Sequence, residues 1–158
     1  MPLLLLLLLY DFDYILHVGG FINKEQISFP DCFHILGNQY NLTPSYSNTF
    51  QLAPYYLYSH AATSFAELHL SYYLKGFLTN KIPLFNRLQW YLVTGVNALY
   101  IKEDQHYTEA FVGVDNLGWG LVRFLRIDYV QSRDAQNHVN SGIRFGLNLN
   151  ALSPNVAP

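Results

Sequence analysis

A single cysteine, Cys32, occurs in the 158 residues, which excludes an internal disulfide and any cysteine-rich zinc site. Charge is scarce: Asp, Glu, Lys and Arg make up 13% of the chain, about half the usual share. The net charge of −2 offers no basic footprint for nucleic acid. The apolar runs are too short for a transmembrane helix, which needs roughly eighteen residues or more. The histidines show no HExxH pairing and no serine sits in a GxSxG setting, so two common hydrolytic signatures are missing. Aromatic side chains are what the chain has in plenty, with 13 Tyr and 11 Phe, and 51% of residues are apolar. Few charges with many aromatics argue against disorder. They suit a core-rich β protein or a membrane β-barrel with aromatic girdles.

The clearest pattern lies between Ala66 and Leu78. Ala66, Leu68, Leu70, Tyr72, Leu74, Gly76 and Leu78 alternate with a set that includes Glu67, His69, Ser71, Tyr73 and Lys75. Period two marks a strand with one apolar and one polar face. The same alternation recurs over 11–22, 88–101, 107–116, 122–133 and 142–149. The aromatic stretch TFQLAPYYLYS, 49–59, also reads as strand-like, although Pro54 would disturb a ladder. Between 23 and 48, Pro30, Gly37-Asn38, Asn41 and Pro44 break regular structure. Asp115-Asn116-Leu117-Gly118 has tight-turn chemistry. The predicted fold is all-β: an antiparallel up-and-down meander of about seven long strands, part of a transmembrane barrel or a small barrel in itself. The expected division is a leucine-rich start over 1–10, a barrel region over 11–150 and a structureless tail over 151–158.

The placement of charge decides between lipid and a core as neighbour of the apolar face. Glu67, His69, Lys75, Glu109, Asp115, Arg126, Asp128 and Arg144 share the face opposite the apolar set. A polar lumen explains this, whereas the interior of a soluble barrel is the apolar face. These eight residues are therefore expected to line a lumen. Trp90, Tyr100, Tyr107 and Tyr129 fall near strand ends, where a girdle would lie. Opposed charges are expected to pair across strands, Glu109 with Arg126 and Asp128 with Arg144. The last strand, 140–149, is expected to end on the periplasmic side, as in most barrel chains; counting back then puts 79–87, 116–120 and 23–48 there, with 60–63, 102–106 and 134–140 outside. Asp31, Cys32 and His34 are metal-binding types, but they lack a fourth ligand and a helical spacing; a packed loop is the plainer reading. His69 with Glu67 could form an acid–base pair, or simply a polar contact within the lumen. No catalytic, cofactor or metal site is expected.

The strings LKGFLTNKIPLFNRLQW, YTEAFVGVDNLG, RFLRIDYV and GIRFGLNL, in that order, together with FPDCFHILGNQ upstream, resemble the C-terminal end of a Bacteroidota outer-membrane family. Its members join an N-terminal carboxypeptidase-regulatory-like domain to a large β-barrel of unassigned function. The resemblance covers most of 11–150. It implies a bacterial outer-membrane location, lipid and further barrel strands as partners, and a non-enzymatic role in envelope transport or assembly. It supplies no catalytic residue. The alternatives are a soluble ligand-binding β-barrel and a small structural outer-membrane anchor.

Overall fold

The computed structural model describes residues 12–22, 27–43, 48–56, 58–59, 61–74, 87–102, 105–119 and 122–147. The predicted leucine-rich start and tail, and Lys75 with the rest of the 75–86 stretch, lie outside these. Among the described residues seven strands form one sheet: β1 Phe12–Gly19, β2 Leu42–Thr43, β3 Phe65–Leu74, β4 Tyr91–Ile101, β5 Gln105–Trp119, β6 Val122–Asp134 and β7 Val139–Leu147. The spatial order is β1-β3-β4-β5-β6-β7-β2. The six long strands pair antiparallel with their neighbours, and the sheet curls into a half-barrel. β2 is the exception, lying parallel to β7 through Leu42–Phe145 and Thr43–Gly146.

Two local readings are corrected. The 49–59 stretch is not a strand: Phe50 makes an isolated bridge to Gly37, and the backbone around it bonds to side chains of the sheet, described below. The 115–118 segment does not turn the chain. β5 runs on to Trp119, and the turn-forming residues instead produce register shifts between Val114 and Gly118. Asn116 takes φ 61° and Gly118 φ 148°, conformations these two residue types tolerate best, so the strand bulges without ending.

Losing the 49–59 strand changes the topology. The whole excursion between Gly19 and Phe65 now joins two sheet neighbours. It therefore shares one end of the sheet with the β4–β5 and β6–β7 connections, and not the end of the β3–β4 connection, to which 23–48 was assigned. The excursion folds back over one face, here called inner. Its Ile35, Phe50, Ala53 and Ala62 pack with Phe65, Leu99, Ile101 and Tyr107 of the strands. A second cluster, Val93, Phe111 and Val130, takes Leu52 and Tyr73 against it.

The two faces are inverted relative to a water-soluble sheet. On the inner face Glu67, His69, Asn97, Glu109, Asp115, Arg126, Asp128, Ser132 and Arg144 are buried, while on the outer face Leu16, Val96, Tyr100, Ile127, Tyr129, Ile143 and Phe145 are exposed. The outer apolar band crosses the sheet on a slant. On β4 it reaches Tyr100, whose register partner is His106. On β6 and β7 the continuous band stops at Tyr129 and Ile143, in the row of Val112, with Gln131 and Ser141 beyond it and a separate exposed Val139 past them. From His106 to Val112 is about 20 Å of strand, while β4 to β7 is about 14 Å across the sheet. The band boundary therefore runs at roughly 55° to the perpendicular of the strands.

Candidate functional site

Register alone assembles the centre of the inner face. His69, Asn97, Glu109 and Ser132 are successive partners on β3, β4, β5 and β6, so one row of four polar side chains crosses four strands. From Glu109 to His69 the row is hydrogen-bonded. Asn97 Nδ2 donates to Glu109 Oε2 at 3.3 Å, which turns Asn97 Oδ1 toward His69 Nδ1 at 3.0 Å. His69 Nε2 lies 2.8 Å from Glu67 Oε1. Both neighbours of the ring are oxygens, so each bond is made fully when its nitrogen carries a proton. Glu67 Oε2 in turn meets His17 Nδ1 of β1 at 3.1 Å, extending the chain to the sheet edge.

Glu109 is where the sheet holds the excursion. Oε2 accepts the backbone N–H of Gln51 at 2.7 Å. Oε1 accepts the N–H of Leu52 at 2.7 Å and the Tyr107 hydroxyl, also at 2.7 Å. Those amides would otherwise be buried donors without a ladder, which is costly; bonded to a carboxylate, they are charge-assisted. Arg144 grips the same segment from β7. Its Nε donates to Gln51 O at 2.6 Å and its Nη1 to Asn41 Oδ1 at 2.7 Å. The segment's own apex is internally bonded, with Thr43 Oγ1 donating to Gln51 Oε1 at 2.7 Å and Asn38 Nδ2 donating to Thr43 Oγ1 at 3.3 Å. An anion and a cation of the sheet thus clamp the two sides of one peptide stretch.

Arg126 and Asp128 form a separate pair two residues apart on β6. Arg126 Nε lies 2.9 Å from Asp128 Oδ2 and Nη2 lies 3.0 Å from Oδ1, a forked geometry. The guanidinium sits 5.5 Å above the Phe111 ring. Glycine makes the room: a Cβ on Gly113, the register partner of Asp128, would overlap the Asp128 carboxylate, and one on Gly95 would overlap Phe111.

The expected cross-strand ladder is therefore half corrected. Asp128 does stand directly opposite Arg144. Glu109 stands opposite Ser132 and Arg126 opposite Gly146, so the Glu109–Arg126 pairing is wrong. The bulge in β5 and the inserted segment set partners that face parity does not specify. Tyr107 is also corrected as a girdle residue, since it points inward and is 4% exposed. Asp115 lies buried on the inner face, and its Oδ1 accepts the Asn116 N–H at 2.7 Å.

Asp31, Cys32 and His34 are not brought together. Asp31 accepts from Ser28, while His34 Nδ1 lies 2.8 Å from Ser59 Oγ, and no group of three metal-ligating side chains gathers among the described residues. In the excursion, burial raises the Tyr58 hydroxyl above its ordinary value, and the Asp134 and Glu109 carboxylates add to the effect. Sequence reading missed Asn97, Gln51 and Ser132 as members of the network. Asn97 and Ser132 share the parity of the charged set, which could have flagged them. Gln51 carried no signal, because its role is played largely by its backbone.

Residues 5–114 match the model of the C-terminal domain of a family of unknown function (DUF5686). That is more than half of the chain, and the match ends within β5, before β6 and β7. No curated protein and no solved structure matches the chain.

Proposed function

The chain belongs to the DUF5686 family through its C-terminal domain, and from that premise we propose that it is the C-terminal segment of a bacterial outer-membrane β-barrel. The observation that carries this reading is the slanted apolar band on the outer face. A band parallel to a bilayer crosses tilted strands obliquely, and membrane barrels tilt their strands by roughly 35–45°. The roughly 55° slant lies about ten degrees above that range, an oblique crossing that a band set by packing against a second protein layer has no reason to show. Thr94 falls within the band, and its hydroxyl is satisfied by donating to Phe111 O at 3.0 Å, as a polar group facing lipid requires.

The open edges supply the partner. Among the described residues β1 lacks a neighbour on one side and β7 meets β2 at two positions. Lipid does not satisfy edge groups, so further strands of a larger barrel complete the sheet. β1 and β7 run in opposite directions, so an even number of added strands closes an all-antiparallel barrel. Bacterial single-chain barrels also have even strand numbers. The Bacteroidota origin and the N-terminal carboxypeptidase-regulatory-like domain belong to this same proposal.

With β7 ending on the periplasmic side, the excursion lies on the extracellular side and folds into the lumen. Long loops are usual on that side and short turns on the other. The role is non-enzymatic, in envelope transport or assembly, because Glu109 is engaged in holding the inserted segment and Glu67, His69 and Asp128 are bonded to other side chains of the sheet. Labelling of intact cells tests the proposal in the full chain, with Cys32→Ser as background. Gln136→Cys is expected to react with an impermeant maleimide from outside, and Arg87→Cys only after lysis. Reaction at Arg87 and not at Gln136 would reverse the orientation. Recovery of the protein in the soluble fraction would reject the barrel.

A further inference from the structure

On the outer face, just beyond the apolar band, a recess of about 330 Å³ lies between β4, β5, β6 and β7, lined by Val96, Thr108, Ala110, Gln131, Arg133 and Val139, with Glu109 and Ser132 of the inner face reaching its floor. Small residues create it: Thr108 and Ala110 of β5 face Arg133 and Gln131 of β6 in register, and Val139 faces Arg133 from β7. Its two halves differ in chemistry. Val96 and Ala110 continue the apolar band, whereas Thr108, Gln131 and Arg133 are exposed and polar.

Arg133 carries the only full charge among the outward-pointing side chains of this lining; the Glu109 carboxylate is turned to the inner face, where it accepts the Gln51 and Leu52 amides. No carboxylate lies on the outer face of β3 to β7 among the described residues, where the outward positions are apolar or neutral apart from His106 and arginine. The adjacent Asp134 is turned to its own hairpin, accepting the His138 N–H at 2.8 Å and meeting the His138 ring at 3.0 Å. A cation in a half-apolar recess, at the boundary of a lipid-facing band, is complementary to a ligand with a phosphate at one end and hydrocarbon at the other. The guanidinium fork and the neighbouring hydroxyl and amide match phosphate oxygens.

We propose that this recess binds the headgroup of an anionic phospholipid or phosphorylated glycolipid, with the phosphate on Arg133, Thr108 and Gln131 and an acyl chain against Val96 and Ala110. The proposal rests on the membrane reading above. One cation near an anionic membrane surface is worth about a fivefold preference. The full chain, folded into phosphatidylcholine vesicles with and without phosphatidylglycerol, is probed with spin-labelled lipids to compare anionic with neutral association. The wild type is expected to prefer the anionic label about fivefold, Arg133→Gln to lose that preference, and Arg133→Lys to keep much of it. Equal preference in wild type and Arg133→Gln would overturn the site, as would displacement of the lipid by inorganic phosphate at matched ionic strength. Failure to enter neutral vesicles at all would instead reject the membrane reading, and the site with it.

Discussion

Replacing Glu109 by Gln separates the clamp on the excursion from the integrity of the sheet. In the wild type each carboxylate oxygen accepts one backbone N–H of the segment, from Gln51 and from Leu52, both at 2.7 Å. The substitution keeps size and shape but converts one acceptor into an NH2 group that faces a donor. One charge-assisted bond, worth about 1.5–3 kcal/mol, is then lost and the other weakens toward a neutral one. A buried N–H left opposite a donor adds a cost of about 1–3 kcal/mol. The docked segment should lose roughly 3 kcal/mol, equivalent to about a hundredfold in its opening equilibrium. Amide hydrogen exchange reads this directly. The Gln51 and Leu52 amides should exchange about a hundred times faster in Glu109→Gln, while the amides of β4 and β5, bonded across the ladder, should hold their protection. If the two loop amides change by less than about threefold, the clamp is not what docks the segment. If the strand amides accelerate by the same factor, Glu109 supports the sheet and not the loop.

Arg144→Met should release the same segment from its other side and cost about 2–3 kcal/mol in denaturant unfolding, since it removes the bonds to Gln51 O and Asn41 Oδ1. Gly113→Ala should destabilise the chain by about 1–3 kcal/mol, because its methyl group meets the Asp128 carboxylate and the Ile127 carbonyl. Gly142→Ala, whose nearest contact is a Leu52 methyl at 3.1 Å, should cost less in the same melt. A double-mutant cycle on Arg126 and Asp128 should show coupling of at least 1 kcal/mol, and one on Glu109 and Arg126 should show about none. The reverse ranking would contradict the forked pair on β6.

How far the sequence reached depended on how local each cause was. Alternation along a strand is a property of the covalent chain, because successive side chains point to opposite faces. Glu67, His69, Glu109, Asp115, Arg126, Asp128 and Arg144 were therefore assigned to one face before any contact was known, and the six long strands were found with their order as a meander. The register of Asp128 with Arg144 was also within reach, since the short hairpin between β6 and β7 leaves little freedom in pairing. The bulge at Asn116 and Gly118 was not. It uses the same residue types as a turn, and only the continued pairing of β5 with β6 distinguishes the two. The 49–59 stretch was misread for a related reason. Its aromatic residues have strand propensity, but a strand exists only where another backbone runs beside it, and here, past the single bridge of Phe50 to Gly37, the neighbours are the carboxylate of Glu109 and the guanidinium of Arg144. That choice was made in three dimensions. Once the inner face is polar and enclosed, a segment that brings its own amides and carbonyls satisfies the buried charges of the sheet, and the sheet's charges satisfy the segment.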